Sequence, residues 1–105
     1  MPQTTIAGHT IDVNEEGFLT KPDEWNEELA TELARYAGVA QMTPEHWGPI
    51  HFLREDFAKT GETATLRRVS QVGGFDIKKL FELFPVKPAK KMAYIAGLPK
   101  PKGCV

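Results

Sequence analysis

Between residues 22 and 85 the chain is cut by helix breakers into a series of separate blocks. Gly38, Gly61 and the pair Gly73-Gly74 close apolar stripes, while Pro22, Pro44 and Pro85 fall at the edges of others. Most helical stability in a folded protein comes from packing an apolar face, so such blocks persist by packing on one another. A chain of 105 residues punctuated this way has material for one domain with a single modest core, built from short helices.

The stretch TTIAGHTIDV alternates apolar and polar residues around Ala7-Gly8-His9 and reads as a β-hairpin, with a turn and a third extended piece in NEEGFL. A helix is expected over KPDEWNEELATELARYAG. Pro22 suits its first turn, Asp23, Glu24, Glu27 and Glu28 suit its positive end, and Gly38 stops it. Its stripe runs Trp25, Leu29, Leu33 and Tyr36 or Ala37. A second helix starts with Thr43 as N-cap and Pro44 at the first position, carries Trp47, Ile50, Leu53 and Phe57 inward, and ends at Gly61. Leu66, Val69 and Val72 then mark a short helix. Gly73-Gly74 makes a tight turn, and Asp76 caps another helix that buries Ile77, Leu80, Phe81 and Phe84. Two short helices about a glycine turn have the outline of a helix-turn-helix.

From Pro85 onward four prolines and five lysines replace the helical pattern, apart from Met92 to Ala96. This predicts a C-terminal arm, docked around Met92 to Leu98 and projecting beyond. The arm carries Cys104, the only cysteine in the chain. Pro99 and Pro101 bias it toward polyproline II, so the steps from Gly97 to Cys104 could span about 20 Å. Gly97 and Gly103 are expected as joints, and Lys100 and Lys102 as docking charges. This design suits a thiol that enters the cleft of another protein. A nucleophilic cysteine in a site of its own would need a partner histidine and an oxyanion site.

Charge is split sharply along the chain. Residues 1–63 hold four basic against twelve acidic residues, and residues 64–105 hold nine basic against Asp76 and Glu82. Either the basic half meets an acidic or phosphate-bearing partner, nucleic acid included, or the halves complement one another inside the fold. Arg54, Arg67 and Arg68 are candidate partner contacts or, equally, surface salt bridges. Read as a recognition helix, IKKLFELF offers Lys78, Lys79 and Glu82, thin material for base readout. His46 and His51 are five apart, off the spacing that shares a helix face, so neither a metal site nor a cofactor is expected. His46 is expected to cap or pack near its helix start, and Trp25 and Trp47 to be core. The absence of a signal-peptide pattern, of a membrane-length apolar run and of a second cysteine point to a cytoplasmic protein.

The tail AGLPKPKGCV resembles the DsrC/TusE family of small sulfur carriers, which includes the gamma subunit of dissimilatory sulfite reductase. So do Gly17-Phe18-Leu19, Trp25, PEHW (Pro44 to Trp47), FLRE (Phe52 to Glu55), Phe84-Pro85 and Pro88 to Lys90. The resemblance implies a mostly helical fold with a mobile arm, and a Cys104 that accepts sulfur as a persulfide and hands it on. In the DsrC branch a second cysteine lies eleven residues upstream and the arm works with sulfite reductase. The TusE branch keeps one cysteine and relays sulfur toward tRNA 2-thiouridine, with an insertion in the turn motif. Here Ala93 stands at the upstream position, as in a single-cysteine relay, and VGGF runs straight into DIKKLFELF without the insertion.

The expectation is therefore a mainly α protein: a small helical bundle with a helix-turn-helix-like core, a short N-terminal β-hairpin and an extended C-terminal arm. Residues 1–84 form the hairpin and helical core, residues 85–105 the arm, one domain overall. Its expected role is a sulfur carrier acting through Cys104, receiving sulfur from a sulfurtransferase and passing it to an acceptor enzyme of tRNA thiolation or sulfite-reductase type. It is better described as a carrier than as an enzyme. The alternative is a sulfur-responsive helix-turn-helix regulator that binds DNA.

Overall fold

The computed structural model describes residues 3–6 and 8–101. Strands β1 (Gln3–Ile6) and β2 (His9–Asp12) pair antiparallel, Gln3 opposite Asp12 and Ile6 opposite His9. The expected third extended piece is a single bridge from Val13 to Leu19. Asn14 shapes the loop between them, its Oδ1 accepting from the backbone N–H groups of Glu16 and Phe18. That loop drives Phe18 and Leu19 into the interior, both fully buried.

The helix expected from Pro22 starts later. Pro22–Glu24 is a single 3-10 turn, and α1 runs Glu27–Tyr36. Asn26 decides the start, because its Oδ1 accepts from Leu29 N–H at 2.8 Å and satisfies a donor the helix leaves open. Trp25 therefore precedes the helix instead of sitting on its stripe. Leu29 and Leu33 are buried as expected, but Tyr36 faces solvent. The helix closes in a Schellman motif, with Gly38 N–H on Arg35 O and Val39 N–H on Ala34 O.

Helix α2 (Pro44–Thr60) matches its sequence signals closely. His46 Nδ1 lies 3.1 Å from Thr43 N, and its Nε2 lies 3.0 Å from Leu83 O, so this histidine ties the helix start to the end of α4. Gly61, at φ 77°, ends the helix. Helices α3 (Leu66–Gln71) and α4 (Ile77–Leu83) follow, joined by the Gly73-Gly74 turn. Val69, Leu80 and Phe84 are buried, whereas Ile77 and Phe81, expected inside, are exposed, as is Val72. Short helices bury only one narrow stripe, and here Leu80 and Phe84 fill it.

The largest departure lies past Pro85. Pro88–Ile95 is a fifth helix, α5, with Pro88 in its first turn and Ala89, Met92, Ala93 and Ile95 buried. Its neighbours in space are α1, α2 and α4. The chain, expected to dock around Met92 to Leu98, packs on the core through Leu98, itself buried. Enclosing Met92, Ile95 and Leu98 contributes about 1.5–3 kcal/mol each. Two apolar clusters result. One lies among the helices around Ile50, Leu53, Leu80, Phe84 and Met92, the other beneath the hairpin around Ile11, Leu19, Leu29 and Leu33. Trp25 and Tyr94 pack against both and join them.

Candidate functional site: the root of the C-terminal arm

Helix α5 ends in the same motif as α1. Gly97 N–H reaches Tyr94 O at 3.2 Å and Leu98 N–H reaches Ala93 O at 3.1 Å, with Gly97 in the left-handed region at φ 70°. Gly97, expected as a joint, is thus held as the terminating residue of a helix. It also packs against Trp25 so closely that a β carbon would have no room.

Two side chains from distant parts of the chain hold the carbonyls this helix end leaves open. Trp25 Nε1–H donates to Ile95 O at 2.8 Å, and Arg54 Nη1–H donates to Ala96 O at 2.7 Å. The Arg54 guanidinium also lies over the Trp25 ring, 4.2 Å from its centroid, so the two donors brace each other. Burial pushes the Arg54 guanidinium below its ordinary pKa, and the charge of Asp23 opposes that shift. A cation near the C-terminal end of a helix is also favoured by the helix dipole. Arg54, expected as a partner contact, works inside the fold as the clamp on the arm root.

Beyond Leu98 the chain is tied down twice more. Thr63 Oγ1–H donates to Pro99 O at 2.7 Å, and Lys100 Nζ lies 3.4 Å from Glu16 Oε2. Pro101 is buried. Residues 97–101 therefore follow a defined course from Trp25, past the α2–α3 loop, with Lys100 reaching toward the β2–α1 loop. Lys102, Gly103 and Cys104 lie outside the described residues.

The remaining arginines separate. Arg68 grips the buried carboxylate of Asp56 with two bonds, Nε to Oδ2 at 2.8 Å and Nη2 to Oδ1 at 2.7 Å. The Arg68 bonds hold the Asp56 carboxyl below the usual range, against a smaller opposing effect of burial. Arg68 thus locks α3 to α2. Arg67, next to it, is exposed and makes no hydrogen bond or ion pair among the described residues. Lys79 is engaged by Glu45 at 3.1 Å. Acidic and basic halves therefore complement one another at several points, which engages Arg68 and Lys79 of the two-helix unit within the fold. Among the described residues no group of three His, Cys, Asp or Glu could hold a metal ion. No helix among them is long and apolar enough to cross a membrane.

Sequence reasoning missed Thr63 and Glu16, whose parts depend on where the arm lands, and no local signal marks them. Trp25 carried a usable signal, because a buried indole N–H needs an acceptor.

A small helical protein with a two-stranded hairpin, whose last helix hands a clamped segment on to a lone thiol, is the class that this fold and site define. The chain belongs to the DsrC family: the family model described as DsrC like protein matches residues 5–105. The gamma subunit of dissimilatory-type sulfite reductase from Nitratidesulfovibrio vulgaris is 37% identical over 105 residues, covering all of both chains. The sulfurtransferase TusE of Escherichia coli O6:H1 is 34% identical over 107 aligned positions, covering 95% of this chain and 97% of that protein. A chain in the crystal structure of dissimilatory sulfite reductase I (DsrI) superposes with a TM-score of 0.85 at 34% identity, covering 99% of this chain and 100% of that one.

Proposed function

We propose that this protein is a sulfur carrier in which Cys104 receives a sulfane sulfur and passes it to a partner enzyme. The observation that carries this reading is the family match, which extends through residue 105 and so includes the only cysteine. Relatives of near-equal length bear the names of a sulfite reductase subunit and of a sulfurtransferase, and both names describe sulfur chemistry.

The step is a thiol exchange. The Cys104 thiolate attacks the outer sulfur of a donor persulfide, R–S–SH. The donor S–S bond breaks, R–S⁻ leaves, and Cys104–S–SH forms with no net oxidation or reduction. A second exchange delivers the outer sulfur to the acceptor. The clamp at Trp25 and Arg54 supports this role, since a carrier that inserts a thiol elsewhere needs a firm base from which the chain departs. The single thiol and Ala93, fully enclosed in α5, favour a one-cysteine relay over a cycle through an internal disulfide. The partners in this reading are a cytoplasmic sulfurtransferase as donor and, as acceptor, an enzyme of tRNA thiolation or sulfite-reductase type.

The test is intact mass after incubation of the reduced protein with a persulfide-charged sulfurtransferase. The wild type is expected to gain one sulfur, reversed by reductant, and Cys104→Ser none. No gain from several donors, or an equal gain in Cys104→Ser, sinks the reading.

A further inference from the structure

The basic half keeps a group of lysines that the acidic half neutralises only in part. An open depression of about 300 Å³ lies where the end of α1 meets the start of α5. Tyr36, Val86, Lys87, Lys90, Lys91 and Tyr94 are among its walls. Tyr36 is 69% exposed and Val86 70%, the two most exposed large apolar side chains among the described residues, and they share this one depression. The only carboxylate on its wall is Glu16, which is shared by Lys90 at 4.0 Å and Lys100 at 3.4 Å. Lys91 Nζ donates to the Pro85 carbonyl, and Lys87 stands exposed without a carboxylate among the described residues.

The backbone here is strained. Among the described residues, Val86 and Lys87 are the only non-glycine residues with positive φ, at 60° and 54°. A β-branched residue in the left-handed region is a true outlier, because its branched Cβ crowds the neighbouring carbonyl. Strain of this kind persists when the surroundings compensate it or when function requires it. Burial offers no compensation at Val86, since the side chain points into solvent. The turn presents an aliphatic group outward and sets lysines beside it.

We infer that this depression docks an acidic protein segment, which inserts an apolar side chain between Tyr36 and Val86 while its carboxylates meet Lys87, Lys90 and Lys91. Charge complementarity selects that occupant. A nucleic-acid strand fits less well, because the exposed aliphatic Val86 offers a contact for an apolar peptide side chain and no face for a base to stack on. The inference deepens the sulfur-carrier reading by giving the donor or acceptor protein a place to bind, and to that extent rests on it. The surface itself does not involve the thiol, so it can be tested without it.

The probe is the capped peptide acetyl-Asp-Glu-Leu-Phe-Glu-Asp-amide, titrated into the ¹⁵N-labelled full chain and, in parallel, into Cys104→Ser. Saturable shifts are expected at Tyr36, Lys87, Lys90, Lys91 and Tyr94 in both proteins, at about millimolar affinity, and weaker in high salt. Lys87→Glu should weaken binding about fivefold. Val86→Asn provides the sharper variant, since asparagine accepts the left-handed region: the melting temperature should rise while binding falls about fivefold. The inference is overturned by absence of saturable shifts, by shifts elsewhere on the surface, by equal binding of the peptide with lysine in place of its acids, or by a single-stranded RNA oligomer shifting these residues in place of the peptide. A failed sulfur-loading experiment with a positive titration would remove the carrier reading and leave the docking surface standing.

Discussion

A β carbon on Gly97 would come within 2.5 Å of Cδ1 of Trp25. The indole occupies the space a side chain would need, and the left-handed backbone at Gly97 disfavours any residue with a β carbon. Gly97→Ala is therefore expected to destabilise the protein by about 2 kcal/mol or more, through strain and overpacking together. Urea denaturation checks this. A variant as stable as the wild type would mean that Trp25 moves aside freely.

The Arg54 side chain supplies the donor for Ala96 O from inside the fold. Arg54→Met keeps much of the apolar stem and leaves that carbonyl without its charged donor, at a cost of about 1.5–3 kcal/mol. Arg54→Lys should recover only part of this, because an ammonium cannot lie flat on the ring as a guanidinium does. Trp25→Phe removes the donor to Ile95 O while keeping a ring. Because both residues hold the same helix end, a double-mutant cycle should show non-additive losses.

Thr63 offers a way to loosen the arm without touching the core. Thr63→Val keeps the shape of the side chain and deletes the bond to Pro99 O. The expected stability loss is small, about 0.5–1.5 kcal/mol. The amide of Lys100, flanked by Pro99 and Pro101 that have no N–H, is the local reporter. Its ¹⁵N heteronuclear NOE should fall in Thr63→Val while amides within α2 keep their wild-type values.

Two carboxylates tie the stability of the fold to pH. Asp56 is held below its ordinary pKa by its bonds to Arg68, and Asp12 by its bonds to Lys21 and Gln3. A depressed folded-state pKa means that the unfolded chain binds protons first as pH falls. The stabilisation is therefore complete well above the unfolded value of about 3.9 and is lost as pH drops through the lower folded value. In Arg68→Gln the opposing effect of burial on Asp56 is no longer outweighed. The gap in melting temperature between wild type and Arg68→Gln should thus be widest near neutrality and narrow below about pH 4. A gap that stays constant with pH would show that Arg68 acts through packing alone.

The legible parts of the fold are those governed by local chemistry. Thr43 and Pro44 start α2 and Gly61 ends it, as their types require. Gly38 closes α1, and the alternation around Gly8 makes the hairpin. The helix at Pro88–Ile95 was legible too, since Ala89, Met92, Ala93 and Ala96 follow a helical period, but the surrounding prolines and lysines made the segment read as an arm. Pro88 is in fact a helix start, and Lys90 and Lys91 sit on the face turned from the core. At the other end of the chain, Asn26 displaced the expected start because its side chain, not Pro22, satisfies the first open donor.

The order of short helices, their capping residues and the position of the single thiol are properties of neighbours along the chain, settled by backbone sterics and capping bonds within a few residues. The contacts that root the arm are of another kind. Arg54 meets Ala96 across 42 residues, Thr63 meets Pro99 across 36, and Trp25 meets Ile95 across 70. Folding alone decided that Arg54 and Arg68 would be engaged by groups of the same chain while Val86 and Lys87 faced solvent. A charge or an apolar group is neutralised or covered by whatever packing brings within a few ångströms, and no local pattern encodes that company.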